Sequence, residues 1–67
     1  MYRYKIVLEE VDDPKYLKSV LEEVGDTYAN VNKKKSEVTI DTSENIGEIC
    51  EVLQNEGYEI IEVEMSN

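Results

Sequence analysis

Four carboxylates crowd into one short segment near the start of the chain, Glu9-Glu10-Val11-Asp12-Asp13-Pro14. Carboxylate oxygens suit hard cations such as calcium, magnesium and manganese, so Glu10, Asp12 and Asp13 are the candidate ligands for such an ion. A calcium loop needs about six oxygens and a glycine-assisted turn, and Asp13 is also placed to cap the helix that follows. We therefore predict no dedicated metal or cofactor site here, and we interpret the segment as an acidic helix start.

The second candidate for chemistry is Cys50, the one cysteine in a chain without histidine. A disulfide within the chain is impossible, and the usual ligands of structural zinc are missing. Cys50 lies beside Ile49 and Leu53 on an apolar helical stripe, which predicts a small apolar side chain in the core. No histidine or second thiol is present to activate it, and no glycine-rich phosphate loop is present either. We predict that the protein is not an enzyme.

Two tyrosines and a run of lysines are candidate contacts for a partner. The lysines occupy a predicted hairpin tip, where they are typical of a solvated turn that deters edge pairing, although they could also bind an anion or a partner. One tyrosine should point outward from an edge strand and the other should flank a helical stripe, and tyrosine is common at binding hot spots. Partial burial of the rings against neighbouring residues is the interpretation we favour over a partner contact. The candidates are Tyr16, Tyr28, Lys33, Lys34 and Lys35.

Net charge narrows the class of partner. The chain has 16 acidic and 7 basic residues, a formal charge of −9, which repels nucleic acids and anionic membranes. Such a charge favours a protein partner with a basic patch, or it serves only to keep the protein soluble. No apolar run approaches the ~18 residues of a membrane span, and the first residues do not resemble a signal peptide. We expect a cytoplasmic location, in keeping with the unpaired thiol.

The elements that position these residues follow from periodicity. Alternating patterns predict strands at 2–8, 27–32, 37–41 and 58–65. Two apolar stripes of helical spacing lie between them, at 17–24 and 46–53. Asp13 with Pro14 should begin the first helix, and Asn45 with Glu48 should form a capping pair at the second. Glycines at 25 and 57 should end them.

The order βαββαβ predicts one α+β domain over residues 1–67, with a ferredoxin-like fold. Two helices that each bury one stripe are best accommodated on one face of a four-stranded antiparallel sheet. The first and third strands should then be central. Arg3 and Lys5 would lie on the solvent face of the first strand, with acidic residues on both neighbouring strands. Those acidic residues are Glu37, Asp41, Glu62 and Glu64. In the last strand, alternation places Ile60 on the solvent face with these glutamates and places Ile61, Val63 and Met65 on the opposite face.

The chain resembles the heavy-metal-associated (HMA) domain of copper chaperones and metal-pumping ATPases. The resemblance rests on Glu37-Val38-Thr39-Ile40-Asp41, on Gly57-Tyr58 before the last strand, and on first-helix aliphatics such as Leu17 and Leu21. It implies the ferredoxin-like fold. The family's Cys-x-x-Cys metal loop is replaced, because its two cysteine positions correspond to Glu10 and Asp13. The resemblance therefore does not imply copper(I) transport.

Taken together, these features predict a small, non-catalytic HMA-like domain without the soft-metal site. We expect a docking or regulatory module that contacts another protein, with no nucleic acid and no membrane as partner. The domain should be a monomer or a weak homodimer. The alternative is a metal-handling protein that uses the acidic segment or pairs Cys50 across a dimer.

Overall fold

Six elements alternate along residues 1–66, the part of the chain that the computed structural model describes. Capping fixes where the two helices begin, and alternating apolar residues form the strands. The elements are β1 Tyr2–Leu8, α1 Pro14–Glu22, β2 Thr27–Asn32, β3 Glu37–Thr42, α2 Ile46–Asn55 and β4 Ile60–Met65.

Side-chain caps set the helix starts, and a glycine with positive φ follows each helix: Gly57 directly after the C-cap of α2, and Gly25 three residues beyond the last residue of α1. The Asp13 carboxylate accepts a hydrogen bond from the Tyr16 N–H at 3.2 Å, and Pro14 takes the first helical position, as predicted. The Asn45 side chain accepts from the Gly47 N–H at 2.7 Å. Within residues 1–66, the Glu48 carboxylate accepts no hydrogen bond from the Asn45 N–H. Only one of the two hydrogen bonds of the predicted capping pair is therefore formed. Gly25, at φ +47°, lies beyond α1 in a conformation that favours glycine.

The sheet has the strand order β2-β3-β1-β4, with every neighbouring pair antiparallel. This order places β1 and β3 in the centre and β2 and β4 at the edges, which confirms the predicted α+β ferredoxin-like fold. Neither helix in the described part of the chain has the length and apolar character required to cross a membrane.

A ladder of charges crosses the solvent face of the sheet. The Arg3 guanidinium donates to both Asp41 oxygens at 2.7 and 3.1 Å, and this pairing lowers the pKa of Asp41. The Lys5 ammonium lies 3.9 Å from Glu37 and 3.7 Å from Glu64. These contacts confirm the predicted cross-strand pairing. Glu62 lies opposite Val7 and makes no ion pair among residues 1–66.

The core lies between the helices and the sheet. It includes Val11, which is only 3% exposed although it comes from the middle of the acidic segment. The prediction that Cys50 is a core side chain was wrong. Cys50 is only partly buried, whereas Ile49 and Leu53 are fully buried. It lies about 100° around the helix from Ile49, at the margin of the stripe. The fully or nearly buried apolar residues are Ile6, Leu8, Val11, Leu17, Leu21, Ala29, Val38, Ile40, Ile49 and Leu53.

The last strand begins at Ile60, two residues later than predicted. The register between β1 and β4 shifts between Val7 and Leu8, so Ile60 pairs with Leu8. Cross-strand partners share a face of the sheet, and Ile60 therefore packs against the core. Strict alternation along β4 predicted that Ile60 lies on the solvent face with Glu62 and Glu64. That prediction was wrong, because the register shift turns Ile60 towards the core.

Candidate functional site

Carboxylates from two separate loops converge at one end of the domain. The β1–α1 segment and the α2–β4 connection together line a shallow cavity of about 230 Å³. The connection brings in two glutamates that sequence reasoning did not place beside the acidic segment. We call the carboxylates of this cavity the acidic end: Glu9, Glu10, Asp12, Glu56 and Glu59.

Local structure holds the acidic end in place. Burial of Val11 anchors the segment between Glu10 and Asp12, and both of these side chains are exposed. The Glu9 N–H donates to the Glu59 carbonyl at 3.0 Å and ties the two loops together. The carboxylates are therefore displayed on a fixed backbone.

Two tyrosines lie beside the carboxylates of the acidic end. Tyr58 lines the cavity and is partly buried, and this burial, with the nearby Asp12 charge, raises the pKa of its phenol. Tyr16 is 52% exposed, and the pKa of its phenol is raised by the adjacent Glu56 carboxylate. Tyr16 is thus a predicted contact residue that the fold does bring to this end.

The three candidate cation ligands do not form a group. Asp13 is engaged as the cap of α1, and Glu10 and Asp12 lie on either side of the buried Val11. Among residues 1–66, no three side chains of histidine, cysteine, aspartate or glutamate are close enough to hold a metal ion.

The remaining candidate contacts lie at the β2 edge of the sheet and at the turn that follows β2. Tyr28 points outward from β2 and is 62% exposed. The exposed lysines 33–35 occupy the β2–β3 turn, in which the Lys35 N–H donates to the Asn32 side chain at 3.2 Å. The Leu8 N–H donates to Ser36 at 2.8 Å, so this turn lies at the same end of the sheet as the acidic end. The three lysines and the acidic end therefore lie at the same end of the sheet, the lysines at the β2–β3 turn and the carboxylates beside β4.

One edge of the sheet is closed by side chains. The Ala29 N–H of β2 donates to Glu22 at 3.0 Å, and the Ala29 carbonyl accepts from Lys18 at 2.9 Å. Lys18 also pairs with Glu22 at 3.0 Å. The pKa of Glu22 is lowered by the Ala29 N–H first and by Lys18 second. The i, i+4 spacing of Lys18 and Glu22 is visible in the sequence, but their bonds to β2 are not.

The other edge is open. The Ser66 N–H donates to Arg3 at 2.9 Å, and antiparallel alternation then directs the N–H and C=O groups of Met65 and Val63 away from β1. No hydrogen bond to these groups is formed within residues 1–66. Val63 is 40% exposed, and Ile61 and Met65 are 58% and 54% exposed. The sequence predicted that these three side chains face the helices. It did not predict that the helices leave them exposed to solvent.

Comparison of the chain with protein-family models, with curated proteins and with solved structures gives no match. The resemblance to the heavy-metal-associated domain therefore stays a prediction from the sequence.

Proposed function

We propose that this domain is a non-catalytic docking module that binds a basic surface of another protein. The observation that carries the proposal is the convergence of five carboxylates from two loops around one cavity, whose lining includes no lysine or arginine. A cationic surface is the chemistry that such a site would recognise.

The electrostatics of the whole chain support this proposal. A formal charge of −9 attracts a basic partner over distances longer than a contact and repels acidic competitors. The fixed backbone of the acidic end also supports it, because little ordering of the loops would be required on binding. Exposed ion pairs are weak one by one, so affinity would come from several pairs together with apolar contacts.

The proposal includes the HMA resemblance. On this interpretation the domain keeps the ferredoxin-like scaffold, and Glu10 and Asp13 occupy the positions of the metal-binding cysteines. The loop that binds metal in the resembled family would then present acidic side chains to a protein. Docking would have taken the place of soft-metal binding.

Binding of charged peptides tests the proposed function. A fluorescein-labelled lysine-rich peptide should bind, and a glutamate-rich peptide of the same length should not. Affinity should fall steeply between low and physiological salt, where the screening length is about 8 Å. Failure of the lysine-rich peptide to bind even at low salt would contradict the proposal.

Matched charge variants locate the binding. The triple variant Glu9→Gln, Glu10→Gln, Glu59→Gln should weaken binding about fivefold, since exposed charge pairs contribute modestly. The control variant Asp26→Asn, Glu48→Gln, Glu51→Gln also removes three charges, but none lines the cavity. Equal weakening by both triples would mean that only the net charge matters, which would contradict a site at the acidic end.

A further inference from the structure

We infer that the open edge of β4 binds an extended segment of the partner as an added strand, and that this segment alternates apolar and basic side chains. The inference rests on the proposed function, since it specifies how a basic partner would bind. It also explains an otherwise uncovered apolar strip, Ile61, Val63 and Met65, on an acidic strand.

The backbone of β4 supplies the first requirement. The N–H and C=O groups of Val63 and Met65 point away from β1, and no group among residues 1–66 bonds to them. An unpaired strand edge of this kind is a template for a further strand.

The side chains of β4 specify the chemistry of the incoming strand. Val63 and Met65 pair with Ile6 and Tyr4, so they share the helix-facing side of the sheet. Glu62 and Glu64 lie on the opposite, solvent side. Residues opposite the first pair would therefore be apolar, and residues opposite the glutamates would be basic.

Strand β1, which pairs with the other side of β4, already has this alternation of apolar and basic side chains. On the paired side of β4, Lys5 lies opposite Glu64 at 3.7 Å, and Ile6 lies opposite Val63. Glu62 lies opposite Val7 and makes no ion pair within residues 1–66. A partner strand with the alternation of β1 would supply that missing cation and would cover the apolar strip.

The β2 edge also has outward groups at Val31, but its neighbouring positions are occupied and it does not offer an equivalent site. The Ala29 N–H and carbonyl are already bonded to Glu22 and Lys18, and the Thr27 N–H bonds to Gly25 at 3.1 Å. An added strand at β2 would have to displace these contacts. The asymmetry between the edges therefore selects β4.

A second copy of this chain does not fit the open edge. Pairing β4 with β4 while keeping the apolar strips on one face would set Glu62 and Glu64 against the same residues of the other copy. Pairing β4 with β2 of another copy would require the closed edge to open. The occupant is therefore a different protein segment.

The test uses a ten-residue peptide that alternates valine and lysine, labelled with fluorescein and titrated with the full chain. The first control peptide has the same composition with valines and lysines in separate blocks. The second has the alternating sequence with N-methyl groups on alternate residues, which removes backbone donors. The alternating peptide should bind about tenfold or more tightly than either control.

Protein variants locate the binding. Val63→Pro removes an outward N–H without removing a bond to β1, and it should weaken binding of the alternating peptide about tenfold or more. Val31→Pro makes the same change at an outward position of β2 and should leave the affinity unchanged. If Val63→Pro does not fold, as judged by circular dichroism, Glu62→Lys with Glu64→Lys gives the same test through charge reversal.

The outcomes separate the two proposals. Equal binding of the alternating and block peptides, weakened in the Glu9, Glu10, Glu59 triple variant but unchanged in Val63→Pro, would overturn strand addition and leave docking at the acidic end intact. Failure of every basic peptide to bind would overturn both. Self-association through β4 at rising protein concentration would overturn the choice of occupant.

Discussion

Two hydrogen bonds to Ala29 join helix α1 to the edge of the sheet: the Ala29 N–H donates to the Glu22 carboxylate, and the Ala29 carbonyl accepts from Lys18. At this scale the sequence predicted the Asp13 cap, whose partner is close along the chain, and the Arg3–Asp41 pair, which follows from the strand order. It did not predict contacts that depend on how a helix sits over a strand. The prediction that Cys50 is buried in the core was wrong for the same reason. A rotation of one residue around α2 decides whether a side chain lies in the core or at its margin.

The Glu22 contacts predict a pH dependence of stability. The folded-state pKa of Glu22 lies below its ordinary value of 4.5, so the ionised form stabilises the fold above that pH. The stabilisation is lost as pH falls through the lowered pKa. Glu22→Gln should therefore have a lower free energy of unfolding than wild type at pH 7, and the difference should shrink towards pH 3. Urea titrations at the two pH values measure this.

Glu23→Gln is the matched control for Glu22, because it removes an exposed neighbouring carboxylate and relieves the same net charge. For Glu23→Gln, the difference in free energy of unfolding from wild type should not shrink comparably between pH 7 and pH 3. A Glu22→Gln deficit that stayed constant from pH 7 to pH 3 would contradict the assigned contacts.

The capping role of Asp13 gives a second residue-scale prediction. Asp13→Ala should lower the free energy of unfolding by about 1 kcal/mol, because the Tyr16 N–H loses its acceptor. Asp12→Ala, one residue earlier, should stay within about 0.5 kcal/mol of wild type, as exposed surface changes usually do. Urea denaturation compares the two. Equal losses would assign the effect to charge rather than to capping.

At the scale of elements, the two sheet edges differ although both are single outer strands. α1 packs more extensively against β2 than α2 packs against β4, and this leaves the β4 strip uncovered. Alternation in the sequence correctly placed Val63 and Met65 on the helix-facing side of β4, but it placed Ile60 on the wrong side. How far α2 reaches across the sheet depends on three-dimensional packing, and the shift that turns Ile60 inward left no local signal.

The closed edge can be opened by mutation. Replacing both Lys18 and Glu22 with alanine should speed amide exchange of Ala29 about tenfold or more, because its N–H would lose a fixed acceptor. The control is Lys15→Ala with Glu23→Ala, which also removes one charge of each sign from exposed positions near α1. Residue-resolved hydrogen exchange is the measurement. Unchanged protection of Ala29 would show that these side chains do not close β2.

A buried hydroxyl chain links β2 to β3. The Thr42 hydroxyl lies 2.8 Å from that of Thr27 and accepts from the Glu44 N–H at 2.9 Å, and Thr27 donates to the Val24 carbonyl. Both threonines are buried. The predicted third strand ended one residue short of Thr42, so this chain of bonds was not foreseen.

Thr42→Val keeps the shape of the side chain but removes its hydroxyl. It should lower the free energy of unfolding by about 1 to 2 kcal/mol, because the chain of bonds is broken and the Glu44 N–H loses its acceptor. Thr39→Val, on the solvent side of the same strand, should change it by less than about 0.5 kcal/mol. Thermal or urea denaturation distinguishes them. A neutral Thr42→Val would contradict a structural role for the network.

At the scale of the whole molecule, the order of elements and the balance of charge were readable from the sequence. Six periodic segments in the order βαββαβ predicted the sheet order, and 16 acidic residues predicted an acidic surface. The distribution of that charge was not readable, because the acidic end joins loops more than 40 residues apart in the chain. The exposed lysines 33–35 lie at the β2–β3 turn and the acidic end lies beside β4, but Glu22 and Asp26 also place carboxylates on the β2 side.

The proposed addition of a basic, alternating strand at the β4 edge would form new backbone hydrogen bonds, so it predicts how the β4 amides exchange with solvent. Residue-resolved amide hydrogen exchange, measured with and without the alternating valine–lysine peptide, tests it most directly. The amides of Val63 and Met65 should exchange rapidly in the protein alone and become protected when the peptide binds, while Ala29 should be protected in both conditions. Slow exchange of Val63 and Met65 without peptide, or no added protection with bound peptide, would contradict the claim.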